Sequence, residues 1–158
     1  MFIYKGIATF FGIGFIGKGS GTVASIAFCL LLYLVVINNM FTQTGLLVFA
    51  VITFIIGVFV SNKLESIWGE DSKMIVIDEV HGMAVGLLFV PIVDVVTIAL
   101  GLLLFRYFDI FKPLFIRRAE NLKAGWGVMV DDSVAGIYTN IILQLFVYFF
   151  YKNHVVIS

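Results

Sequence analysis

Apolar runs fall at about residues 22–37, 45–60, 82–105 and 133–151, separated by short polar stretches. A spanning helix needs roughly 20 apolar residues, within a range of about 17–25. The first two runs approach that length and the last meets it. The third is long enough but is broken at Pro91-Ile92-Val93-Asp94. Proline removes a helix donor, and aspartate suits turn chemistry. A single crossing over 82–105 would leave Asp94 close to the bilayer centre, at a cost of several kcal/mol. A reversal at Pro91–Asp94 instead makes two helices of about ten to fifteen residues, roughly 15–22 Å at 1.5 Å per residue. Both fall short of the ≈ 30 Å hydrocarbon core, and such a re-entrant hairpin is tolerated where its backbone is buried in protein. The fold expected is all-α: a small polytopic membrane helical bundle with short, re-entrant helices.

The polar remainder holds nearly all the charge, in Asn62–Glu79, in Arg106–Asp132 and beside the glycine turn Gly17-Lys18-Gly19-Ser20-Gly21-Thr22. A hairpin brings these three segments to one face. The opposite connection, Asn38–Thr44, has no charged residue, so the positive-inside rule makes the charged face cytoplasmic. Composition agrees with a membrane protein. The 158 residues are 61% hydrophobic and 13% charged, against about 45–50% and 25% in soluble domains, and mean hydropathy is +1.11. A net charge of zero, with no basic stripe of interleaved aromatics, gives no argument for nucleic acid. Cys29 is the single cysteine, which excludes an internal disulfide and a cysteine zinc site. Residues 1–16 are apolar with Lys5 and no clear cleavage site, and read as a retained segment rather than a signal peptide. With no linker or repeat, one domain over 1–158 is expected.

The candidate chemistry lies in that charge. Asp78-Glu79 precedes the first hairpin helix, and Asp131-Asp132 stands just before Ser133 and the last apolar run. Each pair could serve a helix N-terminus or an N-cap instead of a ligand. Arg106, Asp109 and Lys112-Pro113 follow helical spacing, and Arg117 and Glu120 repeat a basic–acidic pair. Surface ion pairs of this kind contribute little. Five carboxylates interleaved with cations argue for more: hard oxygen ligands suit magnesium, and the cations suit phosphate. The Gly17–Thr22 turn offers backbone N–H groups, Lys18, Ser20 and Thr22 as an anion cradle. Gly12 through Lys18 comes close to a nucleotide P-loop, but Gly19 takes the position that requires Ser or Thr. His81 reads as an interfacial polar side chain and His154 lies in the tail. Neither has a zinc-helix partner, and no nucleophile elbow is present. Trp68, Trp126 and the cluster at 148–151 read as interface anchors.

Four segments, in order and with compatible spacing, resemble the phosphatidylglycerophosphatase A family. They are Gly17-Lys18-Gly19-Ser20-Gly21-Thr22-Val23-Ala24-Ser25, Ile75-Val76-Ile77-Asp78-Glu79-Val80-His81-Gly82-Met83, the stretch from Phe105 to Arg117, and Gly127-Val128-Met129-Val130-Asp131-Asp132-Ser133-Val134-Ala135-Gly136. Asp71 also falls where the family tends to carry an aspartate. Phe115 and Ser20 replace prolines found in many or some members. The resemblance implies a multi-pass bacterial inner-membrane phosphatase, dependent on Mg2+, that converts the phospholipid substrate phosphatidylglycerophosphate to phosphatidylglycerol and phosphate. The metal ligands expected are Asp78, Glu79, Asp109, Asp131 and Asp132. Lys18, Ser20, Thr22, Arg106, Lys112 and Arg117 are expected on phosphate, and the catalytic set is Asp78, Asp109, Asp132, Lys112 and Arg106. The number of subunits is left open.

Two other classes compete. A small cation transporter needs polar residues through the membrane depth, and Asp94 with a few hydroxyls offers little of that. A CDP-alcohol transferase would carry a D-G-x-x-A-R signature, which is absent.

Overall fold

The computed structural model describes residues 1–69, 72–113, 115–120, 122–123 and 125–155, with side chains through residue 150 except that of Glu120. Described residues form α1 (Phe2–Ala8), a 3₁₀ turn (Ile13–Ile16), α2 (Ser20–Ile37), α3 (Gln43–Trp68), α4 (Ile77–Leu87), α5 (Val95–Phe111), α6 (Phe115–Glu120) and α7 (Gly125–Val155). Among them there is no strand.

The break in the third apolar run is a reversal. Asp94 caps α5: its Oδ1 accepts from Thr97 N at 2.9 Å, while Asp94 N donates to Thr97 Oγ1 at 2.8 Å. This capping box satisfies two amides that a helix N-terminus leaves without intrahelical partners. The two arms run antiparallel. A Cβ at Gly82 would meet Phe105 at 2.5 Å, and one at Gly101 would meet Leu87 at 3.3 Å. At about 1.5 Å per residue, α4 is roughly 16 Å long and α5 roughly 25 Å, so the second arm exceeds the length expected from the sequence.

Side chains from neighbouring helices hold the hairpin tip. Gln43, at the start of α3, accepts from Phe89 N at 2.8 Å and donates to Val90 O at 2.9 Å. Asn140 of α7 donates to Gly86 O and Leu88 O at 3.1 and 2.6 Å. These bonds satisfy backbone groups that hydrocarbon could not.

Helix α4 is central, touching α2, α3, α5 and α7, with Ile77, Val80, Met83, Ala84 and Leu87 buried. Outward positions on the surrounding helices are apolar instead, among them Leu30, Leu34, Ile52, Ile55, Ile141 and Leu145. A contiguous apolar exterior of this kind calls for lipid, not water. By length and composition α2, α3 and residues 125–150 of α7 are able to cross a membrane.

Two helices outrun their apolar segments. α3 continues past Val60 to Trp68, and α7 begins at Gly125, well before Ser133. Gly125 N donates to Asn62 Oδ1 at 2.8 Å, so a tertiary contact supplies part of the helix start. Asp131 and Asp132 therefore lie inside α7, and the N-cap reading of that pair does not apply.

Candidate metal and phosphate site

The first turn of α4 carries Asp78 and Glu79. It lies alongside α7 because glycines permit close approach there. A Cβ at Gly82 would come within 2.8 Å of Asp132 O, and one at Gly136 would collide with Gly82 O. The result brings Asp78, Glu79 and Asp132 together, one oxygen from each lying within 4.8 Å of the others. Oxygens at such separations can share one hard cation with ligand distances of about 2.0–2.5 Å.

The cluster has donor capacity to spare. Asp78 Oδ1, Glu79 Oε2 and Asp132 Oδ2 are sealed from solvent and have no hydrogen-bond partner among the described residues. Burial pushes the Asp78 carboxyl well above the usual carboxylate range, and the Glu79 and Asp132 charges push the same way. Burial raises Glu79 too, against a hydrogen bond from Asp78 and the field of Arg106. Bringing three buried carboxylates this close is unfavourable without a countercharge. The set suits a hard divalent cation.

Cations line one side. Arg106 Nη1 lies 2.6 Å from Asp109 Oδ2 and 3.9 Å from Glu79 Oε1, so α5 presents both residues to the cluster. Asp109 in turn sets its negative charge against Asp132. Lys112 Nζ meets Asp131 Oδ2 at 2.8 Å, while Asp131 Oδ1 accepts from Asp132 N at 2.9 Å. Lys112 takes a left-handed backbone (φ 44°) where α5 ends, which turns the chain before Pro113.

The glycine turn reaches the site from α2. Gly17 and Gly19 have φ of 90° and 86°, conformations that favour glycine. A methyl at Gly21 would run into the Glu79 carboxylate, so the start of α2 lies directly against it. Among the described residues no side chain caps the start of α2. Ser20 Oγ donates to Lys73 O at 2.8 Å, and a phosphate would compete with that carbonyl for its proton. Thr22 is half-buried and Lys18 exposed on the turn; Arg117 is exposed on α6. Asp71 and the side chains of Glu120 and His154 lie outside the described residues.

His81 differs from its sequence reading. It is buried and not interfacial, at 4% exposure. Its Nδ1 lies 3.0 Å from Ala50 O and 3.3 Å from Thr53 Oγ1, and its Nε2 lies 2.9 Å from Ser133 Oγ. Its place one turn after Asp78 was the available signal; its partners come from two other helices.

A family model described as phosphatidylglycerophosphatase A matches residues 6–147. A Bacteroides thetaiotaomicron protein named putative phosphatidylinositol-3-phosphatase is 41% identical over 145 residues, covering 88% of this chain and 90% of its own. Phosphatidylglycerophosphatase A of Haemophilus influenzae is 34% identical over 139 residues, covering 87% and 84%. The Escherichia coli K12 protein of that name is 38% identical over 84 residues, 52% of this chain and 49% of its own. No solved structure matches. A match running through the glycine turn, both carboxylate pairs and the Arg106–Arg117 segment covers every part of the site just described: the chain belongs to the phosphatidylglycerophosphatase A family and is a phosphatase.

Proposed function

We propose that the protein is a magnesium-dependent lipid phosphatase that removes the terminal phosphate of phosphatidylglycerophosphate at the cytoplasmic face of a bacterial inner membrane. The observation that carries this reading is the cluster of Asp78, Glu79 and Asp132, with three buried oxygens lacking hydrogen-bond partners among the described residues. Those residues would hold the metal, with Asp109 beside Asp132 and Asp131 adjoining through Lys112. Bound magnesium would neutralise phosphate oxygens and stabilise charge on the transferring group. Arg106 offers a planar fork to the phosphate, and Lys112 a point charge. Lys18 and Arg117 would add positive charge, and Thr22 a hydroxyl, for the headgroup phosphate. Asp109 holds the Arg106 guanidinium in place through its 2.6 Å contact.

A second substrate reading, phosphatidylinositol 3-phosphate, follows from the Bacteroides relative, which is named a putative phosphatidylinositol-3-phosphatase. Both lipids carry a phosphomonoester on a polyol headgroup, and the site contacts described above concern the phosphate. The test is phosphate release from short-chain forms of each lipid, with magnesium and with chelator. The first reading expects magnesium-dependent release from phosphatidylglycerophosphate at the higher kcat/KM. Preference for the inositol lipid would reassign the substrate, and turnover in chelator would remove the metal. Release from neither would point to another lipid phosphomonoester as the substrate.

A further inference from the structure

Helix α4 is tied to its neighbours by side-chain hydrogen bonds at two levels. Gln43 and Asn140 hold the tip, and His81 holds the level just below the carboxylates. Between these levels the α3–α4 contact opens into an apolar groove of about 240 Å³, with Leu47, Val51 and Ile55 on one wall and Val85 and Leu88 on the other. Apolar contact fixes the helices side by side but resists sliding weakly. Directional bonds resist it.

The ring of His81 bridges three helices. A backbone carbonyl can only accept, so Nδ1 donates to Ala50 O of α3. The other nitrogen of the neutral ring then accepts from Ser133 Oγ of α7, whose one proton is shared with Met129 O at 2.6 Å. Ser133 directly follows Asp132, and His81 lies one turn after Asp78. The bond therefore joins a residue one turn from Asp78 to the residue that follows Asp132. One residue of slip between α4 and α7 moves their side chains about 1.5 Å apart along the axis. Magnesium needs near-ideal octahedral geometry at about 2.0–2.1 Å and would not bridge such a displacement.

We infer that His81 is a positioning residue: through Ser133 it sets the register of α4 against α7, and with it the spacing of Asp78 and Glu79 from Asp132. This rests on the metal reading proposed above. The bond to Ser133 is the arm that tunes the site, and the bond to Ala50 holds the helix to the scaffold.

The test uses the full chain in detergent with four variants: His81→Asn, His81→Gln, Ser133→Ala and Thr53→Val. Two readouts are taken, the magnesium concentration for half-maximal phosphate release and the magnesium concentration for half-maximal thermal stabilisation without substrate. Loss of a group supporting a metal ligand typically costs 10–100-fold in metal affinity, so Ser133→Ala and His81→Asn should each raise both midpoints about 10-fold. Their combination should add little, since both break one bond. His81→Gln, whose amide can reach Ser133, should recover most of the loss, and Thr53→Val should leave both midpoints unchanged. KM for lipid at saturating magnesium should hold. Unchanged midpoints in Ser133→Ala and His81→Asn, with only metal-free melting lowered, would overturn the inference and leave His81 a packing strut. Should His81→Asn fail to fold, Ser133→Ala decides alone. A native protein with no magnesium response in either readout would instead remove the metal reading, and this inference with it.

Discussion

Asp131 and Asp132 are neighbours in the chain and serve different partners in space. Successive helix positions diverge by about 100°, so Asp131 reaches Lys112 while Asp132 turns to Asp78 and Glu79. Asp132→Asn should cut phosphate release by at least roughly 100-fold, as loss of a group stabilising the transition state does, and should abolish magnesium-dependent thermal stabilisation while the protein stays folded. Asp131→Asn should keep that stabilisation, because it breaks an ion pair with Lys112. Equal loss in both variants would make Asp131 a ligand as well. Arg106 stands between Asp109 and Glu79. Arg106→Lys keeps the charge and loses the fork, so kcat/KM should fall by roughly 10- to 100-fold. An unchanged rate would leave Arg106 a structural ion pair.

The hairpin of α4 and α5 depends on a few polar side chains that belong to other elements. Asn140 supplies donors to two carbonyls at the end of α4 and itself accepts from Gln144 at 2.8 Å. Asn140→Leu keeps the branched shape and leaves those carbonyls unsatisfied, which costs about 1–3 kcal/mol. A lowered denaturant midpoint in detergent would report it; an unchanged midpoint would mean that water or lipid headgroups reach the tip. The start of α2 is equally constrained. Gly21→Ala places a methyl against the Glu79 carboxylate. Activity should fall by more than stability does, as measured by phosphate release beside thermal unfolding, because the displaced group belongs to the site.

At the scale of the molecule, α2 descends from the site, α3 returns, the hairpin leaves and comes back, and α7 descends again. Gly21 beside Glu79, Gly125 beside Asn62 and Arg106 beside Glu79 mark the near end. Gln43 and Asn140 at the hairpin tip mark the deeper level. Lysines and arginines gather at the near end, with Lys152 of α7 the exception. Cysteines introduced as Lys73→Cys and Lys123→Cys, both exposed positions, in a Cys29→Ala background should label from the same side of inside-out vesicles, and Met40→Cys from the other. Labelling of positions 73 and 123 from opposite faces would contradict the shared site.

The reversal was legible in the sequence because Pro91 and Asp94 in a long apolar run admit few arrangements in hydrocarbon, and the convergence of charge followed from it. The long helices were legible through length and hydropathy, though not their ends: α3 past Val60 and α7 before Ser133 are stabilised by contacts such as Gly125 with Asn62. Tertiary structure alone decided that Asp132 and not Asp131 joins Asp78 and Glu79, that Ser20 is tied to Lys73, that Gln43 and Asn140 hold the hairpin tip, and that His81 bridges α3 and α7. The reason is geometric. Hydropathy says that a helix is embedded, whereas its partners depend on its rotation and depth against neighbours, and a turn of about 100° per residue changes every partner while leaving hydropathy the same.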